Sequence, residues 1–290
     1  MTATYPPAEP IWCAGCGHYG VQASLDSALD TLGIPRHETM ILAGIGCSGT
    51  IQNNLGTYGY HALHGRVLPS ATGVALADPS LTVIAAGGDG DGYAIGMGHL
   101  VHAFRRNVPL TYLVMNNAIY GLTKGQRSPT SARSDDGATA FDAISMGLSV
   151  AGSTFLARGF TRRSQQLDRL TAAALEHARS GRGFAFLEIL SPCVNYNDTY
   201  PEWEASLFDV DADATYDPTD RASAFRVVAE QAAQGRMPVG LIYRGGSDGV
   251  EQPATTTDGA RGVRPRPAAA EVDPSLHAPA IRKLLDAYRL

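Results

Sequence analysis

The chain has 290 residues, with 23 Lys and Arg against 28 Asp and Glu and a net charge of −5. That balance provides no basic surface for nucleic acid or an anionic membrane, and no apolar run approaches the roughly 18–20 residues that a bilayer span needs. The polar, Pro-rich start over residues 1–10 lacks the basic-then-apolar pattern of a secretory signal, so the expected compartment is the cytoplasm.

Taken in chain order, the pattern alternates between helix and strand. Val21, Leu25, Leu29 and Leu32 stand at helical spacing and predict a helix over 17–32. A short apolar strand over Thr39–Ala43 runs into the Gly-rich turn Gly44-Ile45-Gly46-Cys47-Ser48-Gly49. A helix over 70–77 stops near Pro79. The strand over 81–86 leads into Gly87-Gly88-Asp89-Gly90-Asp91-Gly92, and a helix over about 93–105 follows. The next strand, 110–115, ends in Asn116-Asn117. Further on come a helix over 141–151, a strand over 154–157, an amphipathic helix over Ser164–Arg179 and a strand over 184–190, closed by Ser191-Pro192-Cys193.

This alternation predicts an α/β fold with a doubly wound, mainly parallel sheet. In such sheets ligands bind at the carboxyl ends of the strands, where each unusual motif falls. Residues 195–220 are polar and irregular. A helix over 220–234 and a strand over 239–243 follow, then a Gly- and Pro-rich arm over 245–274 and a terminal helix over 276–290. The chain is accordingly divided into an α/β domain over 1–197 and a partly irregular C-terminal extension over 198–290.

Two sets of residues carry chemistry. Glycines after a strand let backbone approach a diphosphate, and the following helix N-terminus favours negative charge. A carboxylate and an amide oxygen on neighbouring strand ends can share a hard cation such as magnesium. The glycine stretch alone is equally a tight turn; its pairing with Asn116-Asn117 is what gives it meaning. The second set is Cys13, Cys16, Cys47 and Cys193. In a reducing cytosol these point to metal or catalysis rather than disulfides. Four thiolates suit a tetrahedral zinc or a cubane cluster, and spacing does not choose between them.

The Gly-Asp-Gly stretch followed by Asn-Asn resembles the diphosphate-binding signature of thiamine-diphosphate enzymes. By that resemblance Asp89, Asn117 and the carbonyl of Ile119 hold magnesium. Gly88, Gly90, Asp91 and the Gly121-Leu122-Thr123 backbone then line the diphosphate. Trp12-Cys13-Ala14-Gly15-Cys16-Gly17-His18, the turn over 44–49 and Ser191-Pro192-Cys193-Val194 resemble the three cluster-binding segments of 2-oxoacid:ferredoxin oxidoreductase β subunits. Residues 61–69 and 117–126 extend the likeness, which runs from Trp12 to about Asn197 and is weak or absent beyond.

The family resemblance implies one 4Fe-4S cluster on Cys13, Cys16, Cys47 and Cys193, close to the thiamine ring, with Ile45, Gly46, Cys47 and Ser48 beside the cofactor. It implies a reversible, coenzyme A-dependent oxidative decarboxylation of a 2-oxoacid, with electrons passing through the cluster to ferredoxin. The glutamate that activates thiamine belongs to a pyrimidine-binding domain, which the stretch after Cys193 is too short and irregular to form. A separate α subunit and an α2β2 assembly are therefore implied.

Lys124 and His64 are the candidate catalytic residues. Lys124 is a candidate to pair with the distal carboxylate of 2-oxoglutarate, the plain alternative being a solvated surface lysine. His64, with Arg66, is also a candidate for touching substrate or cofactor, whereas His18 reads as a packing residue at a helix start. The overall likeness puts 2-oxoglutarate first and pyruvate second. Two other classes compete. A thiamine-dependent decarboxylase or transferase without redox chemistry leaves the cysteines unexplained, and a zinc-stabilised, non-catalytic binding subunit leaves Asp89 with Asn117 unexplained.

Overall fold

The computed structural model describes residues 6–132 and 137–245; the arm past Gly245 and the expected helix over 276–290 lie outside the described residues. The elements begin with α1 (His18–Thr31), β1 (Thr39–Ala43), β2 (Tyr58–His61), α2 (Val67–Ala77) and β3 (Thr82–Gly88). Next come α3 (Met97–Arg106), β4 (Thr111–Asn116), a two-stranded ribbon of β5 (Ile119–Tyr120) and β6 (Gln126–Arg127), and α4 (Ala143–Ser149). The series closes with β7 (Phe155–Phe160), α5 (Ser164–Arg179), β8 (Ala185–Leu190), α6 (Tyr200–Ser206), β9 (Leu207–Asp209), α7 (Arg221–Ala233) and β10 (Met237–Arg244).

Eight strands form one sheet in the order β2-β1-β3-β4-β8-β7-β10-β9. Pairing is parallel from β2 through β7. Strand β10 joins antiparallel to β7 and carries β9 parallel on its outer side. This is the expected doubly wound α/β fold. Beyond residue 197 the chain returns to the sheet, with Val239 and Ile242 of β10 fully buried.

Alternate residues of the central strands face opposite sides, as the two-residue period of a strand requires. Ile41, Ile84, Leu113 and Leu187 pack against Val21, Leu25 and Leu29 of α1 and Leu167, Leu170 and Ala174 of α5. On the other face Leu42, Val83, Tyr112 and Phe186 meet α2, α3, α4 and α7 through Leu68, Leu100, Phe104, Ile144 and Val228. Both faces are covered, which explains the nearly continuous apolar runs in the sequence.

Three details depart from the sequence expectation. Strand β2 is exposed at all four residues and has no strand pattern of its own; it forms by pairing with β1. The helix expected from residue 93 starts at Met97, because Asp91–Ile95 forms a π-helical turn, a local widening found frequently at functional sites. Residues Tyr200–Ser206, inside the stretch read as irregular, form α6 with Pro in its first turn, where the missing N–H costs nothing.

Candidate active site

Strands β1, β3, β4 and β8 are consecutive in the sheet and parallel, so their carboxyl ends lie side by side. The segments that follow them carry Cys47, Asp89, Asn117 and Cys193. A cavity of about 220 Å³ opens at this edge. Its wall takes Ile45, Gly46, Cys47 and Ser48 from the turn after β1, and His64 from the segment after β2. Gly88, Asp89, Gly90 and Asp91 come from the end of β3 and the turn after it. Asn117, Ile119, Gly121, Leu122 and Thr123 follow β4.

Lys124 lies outside this wall. It is exposed, at a left-handed φ of 74°, and its N–H donates to the Gly121 carbonyl at 3.1 Å to close the turn. Arg66 is also exposed and does not line the cavity. Sequence reasoning missed His18, Met115 and Tyr120, which do. His18, read as a packing residue, is 1% exposed; its Nδ1 sits 2.6 Å from Ser191 Oγ, and burial pushes its pKa down to about 4. Its position at the start of a helix directly after the Cys13–Cys16 pair was the available signal.

Asp89 is 1% exposed, and burial raises its carboxyl above the usual range against several hydrogen bonds that lower it. Thr130 Oγ1 lies 2.6 Å from Asp89 Oδ2 and 2.9 Å from Asn116 Oδ1. Asn116 Oδ1 also accepts from the Ala118 N–H at 3.0 Å, and its Nδ2 donates to Glu188 Oε1 at 3.0 Å. Asn117 Oδ1 accepts from the Ile119 N–H at 3.1 Å. These two Asx turns hold Ala118 at φ 55°, a left-handed conformation unusual for alanine. The paired asparagines therefore shape the corner before any ligand arrives.

Asp91 makes a different use of its carboxylate. Its Oδ1 accepts from the Ile45 N–H at 3.0 Å and the Gly65 N–H at 2.8 Å, and lies 2.8 Å from His64 Nδ1. One oxygen thus ties the turn after β1 to the segment after β2 and orients the half-exposed His64 imidazole. Asp91 Oδ2 is buried without a partner.

The cysteine segments are tied together by their own hydrogen bonds. Trp12 Nε1 donates to the Cys47 carbonyl at 2.7 Å, and the Gly17 N–H to the Pro192 carbonyl at 3.1 Å. Asn195 Nδ2 donates to Cys13 Sγ at 2.9 Å, and Tyr200 OH to the Gly15 carbonyl at 3.3 Å. No disulfide joins any of the four cysteines. Burial first, with Cys193, Cys47 and Cys13 nearby, pushes the Cys16 thiol up to about 11 against a backbone hydrogen bond that lowers it. Burial, then Cys193 and Cys13, also raises Cys47.

Gly121 links the two halves of the site. A Cβ there would lie 3.5 Å from Cys193 Sγ, 3.7 Å from Cys47 Sγ and 3.6 Å from Asn117 Nδ2. Among the described residues, no group of three or more His, Cys, Asp or Glu forms that could hold a metal ion. The four thiols are neighbours without closing into a single-ion set.

A parallel sheet with its unusual residues gathered at the carboxyl edge is the setting in which open α/β domains bind their ligands. Residues 39–189 match the family model for the C-terminal TPP binding domain of thiamine pyrophosphate enzymes. Residues 193–255 match the model for the C-terminal part of the pyruvate ferredoxin oxidoreductase beta subunit, so the likeness continues past Asn197, where the motifs left it weak or absent. The chain belongs to the β subunits of the 2-oxoacid:ferredoxin oxidoreductases.

It is 41% identical to 2-oxoacid:ferredoxin oxidoreductase 2, subunit beta, of Aeropyrum pernix, over 80% of this chain and 79% of the relative. It is 42% identical to 2-oxoglutarate oxidoreductase subunit KorB of Mycobacterium tuberculosis, over 66% of this chain and 52% of that one. A solved 2-oxoglutarate:ferredoxin oxidoreductase from Magnetococcus marinus, with 2-oxoglutarate, coenzyme A and succinyl-CoA bound, superposes with a TM-score of 0.76 at 35% identity, covering 82% of both chains.

Proposed function

We propose that this chain is the β subunit of a cytoplasmic 2-oxoglutarate:ferredoxin oxidoreductase, with thiamine diphosphate, magnesium and one 4Fe-4S cluster as its cofactors. The observation that carries this reading is the convergence of Cys47, Cys193 and Asn117 on Gly121, each within 3.5–3.7 Å of where its Cβ would lie. A cation corner and an electron acceptor are thereby brought to one point. Asp89, Asn117 and the Ile119 carbonyl would hold magnesium, with Gly88, Gly90 and the Gly121-Leu122-Thr123 backbone along the diphosphate. Cys13, Cys16, Cys47 and Cys193 would hold the cluster. When bound, thiamine diphosphate supplies the carbanion chemistry and the cluster accepts electrons.

The donor sets fit these groups. Burial disfavours an ionised Asp89, a condition that a bound cation reverses. Four neighbouring thiols suit a cubane cluster and a tetrahedral zinc alike; the match to the ferredoxin oxidoreductase β subunits is what favours the cluster. Asp91 holds His64 at the cavity wall, where it would offer a hydrogen bond to a bound substrate. Ile45 and Leu122 line the cavity yet are 36% and 59% exposed, an apolar rim suited to cover by an α subunit that also brings the activating glutamate. Ferredoxin, coenzyme A and an α2β2 assembly complete the reading.

The bound molecules in the Magnetococcus marinus enzyme and the 2-oxoglutarate names among the relatives support 2-oxoglutarate. Relatives named only for 2-oxoacids favour a broader specificity that includes pyruvate as the second reading. The test is coenzyme A-dependent ferredoxin reduction by the chain co-expressed with its α partner. The expected result is a higher kcat/KM for 2-oxoglutarate than for pyruvate, with Lys124→Ala raising KM for 2-oxoglutarate selectively. Preference for pyruvate would overturn the substrate assignment, and equal KM changes for both acids would remove Lys124 from it.

A further inference from the structure

We infer that the turn Ser128-Pro129-Thr130-Ser131 is a positioning clamp for the cation corner, and that the Thr130 hydroxyl sets the orientation of Asp89 before the cation binds; this rests on the magnesium site proposed above.

Two hydroxyls of this one turn reach the corner. Thr130 Oγ1 spans Asp89 Oδ2 at 2.6 Å and Asn116 Oδ1 at 2.9 Å. Ser131 Oγ donates to the Ala118 carbonyl at 2.7 Å, inside the Asn-Asn turn. Ser128, 4% exposed, backs Thr130 from within the turn, its Oγ 3.3 Å from Thr130 Oγ1. The turn is itself fixed. The Ser131 N–H donates to the Ser128 carbonyl at 3.1 Å, the Ser128 N–H to Ser131 Oγ at 2.9 Å, and the Phe141 N–H to the Pro129 carbonyl at 2.8 Å.

Thr130 has one hydroxyl proton and two acceptors within reach, so it donates to Asp89 Oδ2 at 2.6 Å or to Asn116 Oδ1 at 2.9 Å, and in either case sits between the turn after β3 and the end of β4. Asn116 is gripped on both sides, by Thr130 in front and by Glu188 Oε1 behind at 3.0 Å. Glu188 in turn receives Arg158 Nε at 2.6 Å. A carboxylate held by such partners does not have to be ordered when its cation arrives, so affinity rises without any new contact to the ligand. Thr130 touches neither cation nor substrate in this account; it acts through Asp89 and Asn116.

The experiment uses the αβ complex stripped of thiamine diphosphate and magnesium, with magnesium affinity measured by titration calorimetry at saturating thiamine diphosphate. Thr130→Val should weaken magnesium binding by about 10–100-fold, the loss typical when a partner of a metal-ligating group is removed. Thr130→Ser, which keeps the hydroxyl, should restore affinity close to the wild-type value. Both variants should melt, without cofactor, at the wild-type temperature. Wild-type affinity in Thr130→Val would overturn the clamp, as would a serine variant that fails to rescue or an affinity loss that only tracks a lowered melting temperature. A wild-type complex that binds no thiamine diphosphate with magnesium would instead remove the parent site, and the clamp with it.

Discussion

Arg158 is 7% exposed and lies between two carboxylates. Its Nε donates to Glu188 Oε2 at 2.6 Å, and its outer nitrogen to Asp142 Oδ1 at 2.5 Å. Burial alone would raise the Asp142 carboxyl, but the guanidinium outweighs it and holds the group below the usual range. Burial likewise opposes the charge on Arg158, and Glu188 and Asp142 together outweigh it. Asp142 also caps α4 by accepting from the Ile144 and Ser145 N–H groups, while Glu188 Oε1 accepts from Tyr93 OH at 2.9 Å and from Asn116. Removing the arginine leaves Glu188, 2% exposed, as a buried charge without its ion partner. Arg158→Leu should therefore cost about 3–5 kcal/mol, read from urea unfolding of the cofactor-free chain. A loss under about 1 kcal/mol, typical of a surface pair, would contradict this account of the network.

At the scale of elements, α5 presents a buried histidine to the sheet. His177 is 0% exposed; its Nε2 lies 3.0 Å from Thr154 Oγ1. Burial first, then Arg244 and Arg182, pushes its pKa from 6.5 down to about 4. The unfolded chain takes up this proton as pH falls through 6.5, whereas the folded chain does so only near 4. The stability this histidine contributes is thus intact above pH 6.5 and drains away as pH drops toward 4. The melting temperature should fall between pH 7 and pH 5, and His177→Gln should flatten part of that slope. A variant with the wild-type slope would mean that folding does not lower the pKa of His177.

The same scale explains what the sequence makes legible. The strand over Thr39–Ala43 and the helix over Ser164–Arg179 have the bounds expected from their apolar pattern, because each element's own burial creates that pattern. Strand β2 has no such pattern, since its pairing with β1 rather than its side chains makes it a strand. The glycine, asparagine and cysteine motifs of the site are legible because each is local and sits at a strand end. The Ser128–Ser131 turn was not, because Thr130 meets Asp89 across 41 residues and Asn116 across 14, and no short-range signal encodes that encounter. The role of Asp91 was hidden in the same way. Its motif points to a diphosphate, and its carboxylate in addition reaches back 46 residues to Ile45 and 27 to His64.

For the whole molecule, strand order is what makes a site from scattered segments. Residues as far apart as Cys47 and Cys193 approach one another because β1 and β8 flank β3 and β4 in one parallel sheet. The Cys13–Cys16 loop is carried to that edge by Trp12, Gly17 and Tyr200. The central claim joins a thiamine site and an iron–sulfur site on this one edge. Its most direct test is metal, sulfide and thiamine analysis of the αβ complex purified without oxygen. The account predicts about four irons with matching acid-labile sulfide, and one thiamine diphosphate, per β chain. One zinc per chain with no iron, or a full complement of iron with no thiamine diphosphate, would contradict it.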